Sequence, residues 1–258
     1  MSFLSPGGLE NTVLRNYTQT YTYDEVGNIL QMDHGYQSGG WKRNYSYSEL
    51  CNQLEATSVI GQPDNFADVY THNQRGAMTS MPHLDGIERD FRDMIRKVDI
   101  NGSDRATYSY DHAGQRVRKV TRLGPNRLDH IYVGSWELFR KKVAGSLKTV
   151  RETLHVKDDD RRICMVETKT MDNGIIIPSP TPRQRYQYGD HLGTACLEAD
   201  HAGSVITYEE FHPYGTTAWW AEKSGIQVSR KRYRYTGMEK DEGTGLAYHG
   251  ARYYAQWL

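Results

Sequence analysis

Several carboxylates in the last third of the chain are of the kind that hydrolases use in pairs. They are Asp190, Glu209, Glu210, Glu239 and Asp241. Glycoside hydrolysis needs two carboxyl groups flanking the scissile bond, one as the acid and one as the nucleophile or base. Tyrosine rings, which are frequent in this sequence, have the apolar body and polar tip that suit a sugar surface. One hypothesis is therefore a stand-alone, polysaccharide-active hydrolase that uses the concave face of a sheet.

Asp190 and His191 suggest acid–base chemistry, since a carboxylate beside an imidazole can tune proton transfer. Adjacent residues of a strand point to opposite faces, however, so these two side chains would not meet. A turn aspartate followed by a structural histidine is the better interpretation. If the chain is an enzyme, the residues alone give these catalytic candidates: Asp190, His191, Glu209, Glu239 and Asp241.

Metal-binding patterns are weak throughout the chain. Among its ten histidines, none of the spacings is that of a helical or strand pair that shares one metal ion. The acidic run 158–160 lacks the alternate ligand spacing and the glycine of a calcium loop, so a solvated hairpin tip is expected. Cys51, Cys164 and Cys196 are far apart and odd in number, which favours three buried or half-buried thiols. We therefore predict no metal and no cofactor.

The charge pattern disfavours nucleic acid as a partner. The chain has 32 lysines and arginines together, and 32 aspartates and glutamates together. The formal net charge is therefore zero, and no global electrostatic field attracts phosphates. The stretch 231–235 interleaves basic and aromatic residues, and an ordinary amphipathic strand explains it, with Arg232 and Arg234 on one face. No phosphate loop, dinucleotide fingerprint, signal segment or membrane span is present in the sequence.

A tyrosine-containing hairpin unit recurs along the first half of the chain. It begins at residues 21, 45, 70 and 108, twice in full form and twice degenerate. In the first copy Tyr21 and Tyr23 share one face of a strand, and Asp24 can accept hydrogen bonds from turn amides. Gly27 can take the positive φ that closes a turn with a bulge. The longer gap before residue 108 contains 91–98, where we expect an extra strand or hairpin.

The second half of the chain continues with strand-like alternation. Residues 130–139 alternate, and 151–156 and 162–167 indicate two strands around a polar turn at 157–161. Residues 171–185, with three prolines, are the best candidate linker. A short helix near 217–223 is the only helix that we expect.

The last 73 residues carry several separate motifs. They are Tyr188-Gly189-Asp190-His191-Leu192-Gly193-Thr194, Asp200-His201-Ala202-Gly203, Phe211-His212-Pro213-Tyr214-Gly215, Tyr233-Arg234-Tyr235-Thr236-Gly237 and Gly250-Ala251-Arg252-Tyr253-Tyr254. In order and spacing this region resembles the RHS-repeat-associated core. That core ends the shell of RHS and YD-repeat proteins, including RHS polymorphic toxins and the C subunits of insecticidal toxin complexes.

The resemblance implies a fold and a domain division. YD-repeat hairpins of that family wind into a hollow shell, and the core closes one end. We therefore expect an all-β fold of antiparallel hairpins in a curved sheet, a partial shell or barrel-like, with little helix. The expected division is a lead-in at 1–16, a YD-repeat region at 17–170, a linker at 171–185 and the core at 186–258.

The resemblance also implies a function, a structural module that encloses or docks. In the family, aspartates in Asp-Pro pairs after the Gly-Ala-Arg-Tyr-Tyr segment cleave the chain and release an effector domain. Here no aspartate follows Asp241, so we expect a chain truncated before those aspartates and the effector. Arg252 matches the family's arginine and completes the list of catalytic candidates, although without the aspartates a structural role is expected.

The partners implied are the remainder of a larger toxin shell or further copies of this chain. Glycans are a further expected ligand, because tyrosines lie on the sheet surface. Proteins of this family leave cells by specialised secretion or as parts of larger toxins. The resemblance therefore implies a secreted protein exported by a non-classical route.

Overall fold

The computed structural model describes residues 16–37, 39–159, 161–222 and 229–258. These residues form strands joined by tight turns, with one short 3-10 segment at Tyr235–Gly237. The all-β fold built from antiparallel hairpins is confirmed. Among the residues described, no helix is long and apolar enough to cross a bilayer. The described residues divide into two compact units, one formed by residues 89–258 and the other by residues 16–88.

The smaller unit contains a five-stranded sheet in the order β1-β2-β3-β4-β5 and a separate hairpin, β6–β7. The strands are β1 (Tyr17–Tyr23), β2 (Ile29–Tyr36), β3 (Gly39–Tyr47), β4 (Leu54–Thr57), β5 (Asp68–Val69), β6 (Thr71–His72) and β7 (Met78–Ser80). Three aromatic rings stack across strands β1, β2 and β3. The ring centroids of Tyr17 and His34 are 5.2 Å apart, and those of His34 and Trp41 are also 5.2 Å apart. This stack packs one face of the first two hairpins.

The larger unit contains most of a 13-stranded sheet, in the order β20-β19-β18-β17-β15-β14-β13-β12-β11-β10-β9, with β16 beside β15. The strands are β8 (Gly86–Arg89, where the chain passes from one unit to the other), β9 (Ile95–Asn101), β10 (Asp104–Tyr110), β11 (Arg116–Leu123), β12 (Asn126–Val133), β13 (Trp136–Val143), β14 (Ser146–Asp158), β15 (Arg161–Asp172), β16 (Ile175–Ile176), β17 (Arg183–Gly189), β18 (Ala195–Ala199), β19 (Val205–Phe211) and β20 (Thr217–Glu222). A three-stranded sheet follows: β21 (Glu239–Lys240), β22 (Ala247–His249) and β23 (Arg252–Tyr254).

The predicted aspartate-to-glycine turn is confirmed. The Oδ1 atom of Asp24 accepts hydrogen bonds from the amides of Val26 and Asn28 at 3.0 and 2.7 Å. Gly27 has a φ of 93°, a conformation that costs glycine little. The register of β1 and β2 shifts between Thr22 and Tyr23, which is the expected bulge. The same aspartate contacts recur at Asp190 and Asp200.

The expected extra hairpin before residue 108 is also present, and it uses a variant of the same turn. Asp90 accepts hydrogen bonds from the amides of Arg92 and Met94, at 2.9 and 3.0 Å. Asp93, with a φ of 65°, takes the place of the glycine. Aspartate tolerates this left-handed conformation better than most residues. The missing glycine explains why the sequence pattern did not show a complete repeat here.

The expected helix at 217–223 is wrong. Residues Thr217–Glu222 form strand β20, which pairs antiparallel with β19. The ring centroids of Trp219 and of Tyr208 on the neighbouring strand are 5.6 Å apart. Cross-strand aromatic packing of this kind stabilises a sheet and overrides a modest local helix propensity. Lys223 lies outside the described residues.

The stretch proposed as a linker, residues 171–185, lies between two strands of one sheet. β15 ends at Asp172, and β17, which begins at Arg183, pairs directly with β15. The sheet is therefore continuous across this stretch. The division between repeats and core at this point stays a prediction, as does the lead-in at 1–16, of which only residue 16 is described.

Candidate functional site

Glu239 is the centre of a buried ion-pair network in the larger unit, and its side chain is only 4% exposed. Its carboxylate accepts hydrogen bonds from Lys119 Nζ at 2.9 Å and from a guanidinium nitrogen of Arg232 at 2.7 Å. Arg116 also donates to it, and the Tyr132 hydroxyl lies within 3.0 Å. Burial alone would raise the pKa of Glu239, but the charges of Lys119, Arg116 and Arg232 hold that pKa well below its usual range. Glu239 is therefore ionised.

Glu137 on β13 is the second carboxylate of the network, with a side chain 1% exposed. Arg232 donates two hydrogen bonds to it, at 2.6 and 2.7 Å, so one guanidinium bridges Glu137 and Glu239. His130 Nδ1 and His155 Nε2 lie 2.9 and 3.4 Å from its oxygens. Burial and the nearby charge of Arg232 lower the pKa of His130 to about 4. At neutral pH His130 is therefore uncharged.

Asp241 extends the network toward β10. Its Oδ2 atom accepts a hydrogen bond of 2.7 Å from the buried Tyr108 hydroxyl. Its Oδ1 atom accepts a hydrogen bond of 3.0 Å from the amide of Gly243, and Lys119 Nζ lies 3.9 Å from Oδ2. Asp241 thus closes a turn and ties it to the sheet.

Glu209 on β19 lies in a second cluster, and its side chain is fully buried. Lys231 Nζ is 3.2 Å from its Oε2 atom, and Arg234 Nε donates to the same atom at 3.0 Å. The Thr217 hydroxyl donates to its Oε1 atom at 2.8 Å. Both cations come from the segment 229–238 and the carboxylate comes from the sheet.

Arg185 on β17 forms a third cluster with no exposure of its side chain. It donates to Glu198 at 2.5 Å and to the carbonyl of Ser229 at 2.7 Å. Glu167 accepts from the amide of Ser229 at 3.1 Å and lies 3.5 Å from Arg185. Sequence reasoning missed these residues, because charged side chains at alternate strand positions are typical of a solvated face.

The polarity of strand β17 is reversed relative to that expectation. On β17, Arg185 and Gln187 are buried, whereas Tyr186 and Tyr188 are 37% and 55% exposed. On β17 the covered face is therefore polar and the outer face carries the tyrosines, whereas β9 and β10 bury the apolar residues Ile95, Val98 and Ala106. Buried charges are costly unless they are paired. The segment 229–241 supplies charges of both signs: Arg232 pairs with Glu137 of the sheet, and Glu239 pairs with Arg116 and Lys119 of the sheet.

This arrangement corrects the expectation for residues 231–235. Only Tyr233 of this stretch makes a strand-like bridge, to Glu239. Lys231 and Tyr233 are buried, and Arg232 has a side-chain exposure of 11%. The basic side chains therefore do not form a solvated face, since each has a carboxylate partner on the sheet.

The structure scatters the predicted catalytic residues over separate places. Glu239 and Asp241 share Lys119, and Glu209 lies in its own cluster. The turn residues Asp190 and His191 are exposed, as is Arg252 on β23; Glu210 contacts the Tyr208 hydroxyl at 3.0 Å. A glycosidase acid needs a raised pKa, whereas that of Glu239 is lowered. These contacts favour a structural role for the carboxylates.

Metal ligands do not gather in the part of the chain that is described: no three histidine, cysteine or acidic side chains converge there. Asp158 lies at the tip of the β14–β15 hairpin, as expected, and Asp160 falls outside the described residues. Cys164 is buried and Cys196 half-buried, but Cys51 is exposed, so the expectation of a covered thiol is wrong for Cys51.

A cavity of about 760 Å³ adjoins the network. Its walls come from the β14–β15 hairpin, the turn at 189–193, the segment 233–239 and the β22–β23 turn. Arg116 and Glu239 lie in its lining, but each is engaged by the other. The remaining lining is rich in cations, tyrosines and glycines.

Comparison with known proteins relates this architecture to toxin subunits. Toxin subunit YenC1 of Yersinia entomophaga is 29% identical over 266 residues, a match that covers 98% of this chain and 26% of the subunit. The crystal structure of TcdB2-TccC3-TEV superposes on 94% of this chain, and the match covers 12% of the chain in that structure, with a TM-score of 0.78 and 27% identity. The chain is a homologue of Tc toxin C subunits and of RHS/YD-repeat proteins.

The homology extends to a second group of proteins. The tRNA nuclease WapA of Bacillus subtilis is 26% identical over 238 residues, which are 91% of this chain and 9% of WapA. No family model matches the sequence. The chain spans about a quarter of the length of the toxin subunits it matches. It corresponds to part of the shell region of the C subunit.

Proposed function

We propose that the chain forms part of the wall of a toxin shell, in which it encloses or docks a partner segment. The observation that supports this most strongly is the superposition on TcdB2–TccC3 over 94% of the chain. The ion-pair network fits this role, because it fastens the segment 229–241 onto the sheet.

A chimera tests the proposal. Residues 17–258 would replace the matching stretch of TccC3, and the chimera would be purified with TcdB2. We expect a complex that elutes at the size of the parent complex and resists trypsin as the parent does. A matched chimera with Arg232→Gln should assemble poorly, because two buried carboxylates lose their shared partner. Failure of the unsubstituted chimera to assemble with TcdB2 would contradict a wall function.

Self-association is the second part of the proposal. β20 ends the order of the large sheet among the described strands, so its outer backbone groups are available to pair with another chain. We propose that another copy, or the rest of a larger shell, covers this edge. Carriage within a larger toxin would also export the chain. Detection of the native protein in culture supernatant, absent from a secretion-deficient strain, would test that route.

We also propose that these 258 residues do not cleave themselves, because no aspartate follows Asp241 within them. A single band on a denaturing gel after prolonged incubation is expected. The hydrolase hypothesis has its own test: loss of polysaccharide hydrolysis in Asp190→Asn or Glu239→Gln, with the fold intact, would favour an enzyme over a shell.

A further inference from the structure

The cavity next to the ion-pair network has an excess of positive charge. Lys157, Arg161 and Arg162, at the tip of the β14–β15 hairpin, all line it. Among the described residues, none of the three has a carboxylate within ion-pair distance. Asp158 lies opposite Arg161 in the register of β14 and β15, and its carboxylate is also beyond ion-pair distance of Arg161. By contrast, the buried cations Arg116, Lys119, Arg185 and Lys231 are each paired with a carboxylate.

Arg162 shows the shortage of negative charge most directly. Its Nε atom donates to His155 Nδ1 at 3.0 Å and one terminal nitrogen donates to the carbonyl of Gly237 at 3.2 Å. Its guanidinium carbon lies 3.4 Å from the ring centre of Tyr233. All three partners are neutral. Burial lowers the pKa of Arg162, and the charges of Glu239 and Glu137, which lie beyond ion-pair distance, offset that lowering only in part.

The rest of the cavity lining includes uncharged groups. His249 lines the cavity, and its Nε2 atom is buried with no hydrogen-bond partner among the described residues. Leu192 and Met238, which also line the cavity, are 53% and 38% exposed. A ligand that fills this space would therefore meet two cations at the rim, one guanidinium deeper in, a free imidazole nitrogen and an apolar surface.

We propose that this cavity binds an acidic peptide segment, with a carboxylate on Arg162 and apolar neighbours on Leu192 and Met238. A carboxylate matches a guanidinium in shape and charge. The apolar wall favours a peptide over a bare phosphate or a nucleic-acid backbone. The volume lies in the range of about 300–1,000 Å³ that is usual for ligand pockets. This site is independent of the shell proposal, since it needs only the larger unit.

Fluorescence anisotropy with a labelled hexapeptide of alternating aspartate and leucine tests the proposal. Its partner probe has asparagine in place of aspartate. We expect saturable binding of the acidic probe that weakens with salt, and at least about tenfold weaker binding of the amide probe. Equal binding of the two probes, or no binding of the acidic one, would overturn the proposal.

Variants locate the site. Lys157→Gln with Arg161→Gln changes only exposed side chains at a hairpin tip, so the fold should persist, and we expect binding to fall by about five- to tenfold. Arg162→Gln should abolish binding and Arg162→Lys should restore part of it, provided circular dichroism shows a folded chain.

The matched control is Arg122→Gln. Arg122 is an exposed arginine of β11 that lies outside the cavity, so this variant should bind the acidic peptide normally. Unchanged binding in the hairpin double variant, or inorganic phosphate or heparin binding there in preference to the acidic peptide, would contradict the assignment.

Discussion

Glu239 has three cationic partners, Arg116, Lys119 and Arg232, and its side chain is almost without solvent contact. Taking these charges out of water costs several kcal/mol per ion, and their mutual attraction offsets that cost only while every partner is present. The network is therefore sensitive to single deletions, because each deletion leaves an uncompensated charge in a buried place.

Glu239→Gln should lower the free energy of unfolding by about 3–5 kcal/mol, since it leaves three buried cations short of negative charge. Urea denaturation followed by tyrosine and tryptophan fluorescence measures this change. Glu210→Gln, which loses only one contact with the Tyr208 hydroxyl, should change stability by less than about 1 kcal/mol. Similar effects of the two substitutions would show that the ion pairs around Glu239 carry no special weight.

Acid should weaken the fold through His130. Its pKa is about 4 in the folded chain against an ordinary value of 6.5, so the unfolded chain binds the proton first as the pH falls. The stability linked to His130 is fully present above pH 6.5 and is lost between pH 6.5 and about 4; the shift corresponds to about 3 kcal/mol. The pKa values of Glu137 and Glu239 are also lowered in the folded chain. Their contribution to the free energy of unfolding is therefore also lost as the pH falls, in their case below pH 4.5.

Urea denaturation at pH 7 and pH 5 measures this effect. In His130→Gln we expect most of the difference in the free energy of unfolding between pH 7 and pH 5 to disappear. His112→Gln, which changes an exposed histidine, should retain it. An unchanged pH dependence in His130→Gln would show that His130 does not remain neutral in the fold.

Turns are the elements that the sequence predicted best, because their demands are local. The repeat at Tyr21 showed both the aspartate that caps the turn amides and the glycine that takes positive φ. The reversed polarity of strand β17 could not be predicted in this way. Glu137 and Arg185 look like solvated residues until residues 229–241 cover them, and that cover is made by groups 44 or more positions away in sequence. The expected helix at 217–223 failed for the same reason, since β19 decides that conformation.

Two turn glycines differ in what surrounds them, and this difference predicts different costs. A Cβ atom at Gly215, with a φ of 91°, would lie 2.4 Å from the ring of Tyr235, whereas one at Gly203, with a φ of 76°, would meet nothing within 4 Å. Gly203→Ala should therefore cost about 1–2 kcal/mol from backbone strain alone. Gly215→Ala should cost at least about 1 kcal/mol more, because the Tyr235 ring must move. Thermal unfolding of the two variants measures the difference, and equal melting temperatures would show that Tyr235 does not pack against this turn.

At the scale of the whole molecule, open sheet edges predict self-association. β20 is the last strand in its sheet order among the strands that the structure describes, and exposed edges pair with other chains unless charge or cover prevents it. Light scattering after size exclusion should show a mass that rises with concentration. Ala221→Lys on β20 should reduce this rise, while Ala202→Lys in an exposed turn should leave it unchanged. A compact monomer at every concentration, with no binding of an apolar dye, would contradict the prediction.

An electron-microscopy reconstruction of the TccC3 chimera bound to TcdB2 would test the central claim most directly. The account predicts that residues 17–258 lie within the wall of the complex, with Arg232 between Glu137 and Glu239 and the segment 229–241 covering the polar face of the sheet. Density for that segment away from the sheet, or for residues 17–258 outside the wall, would contradict it.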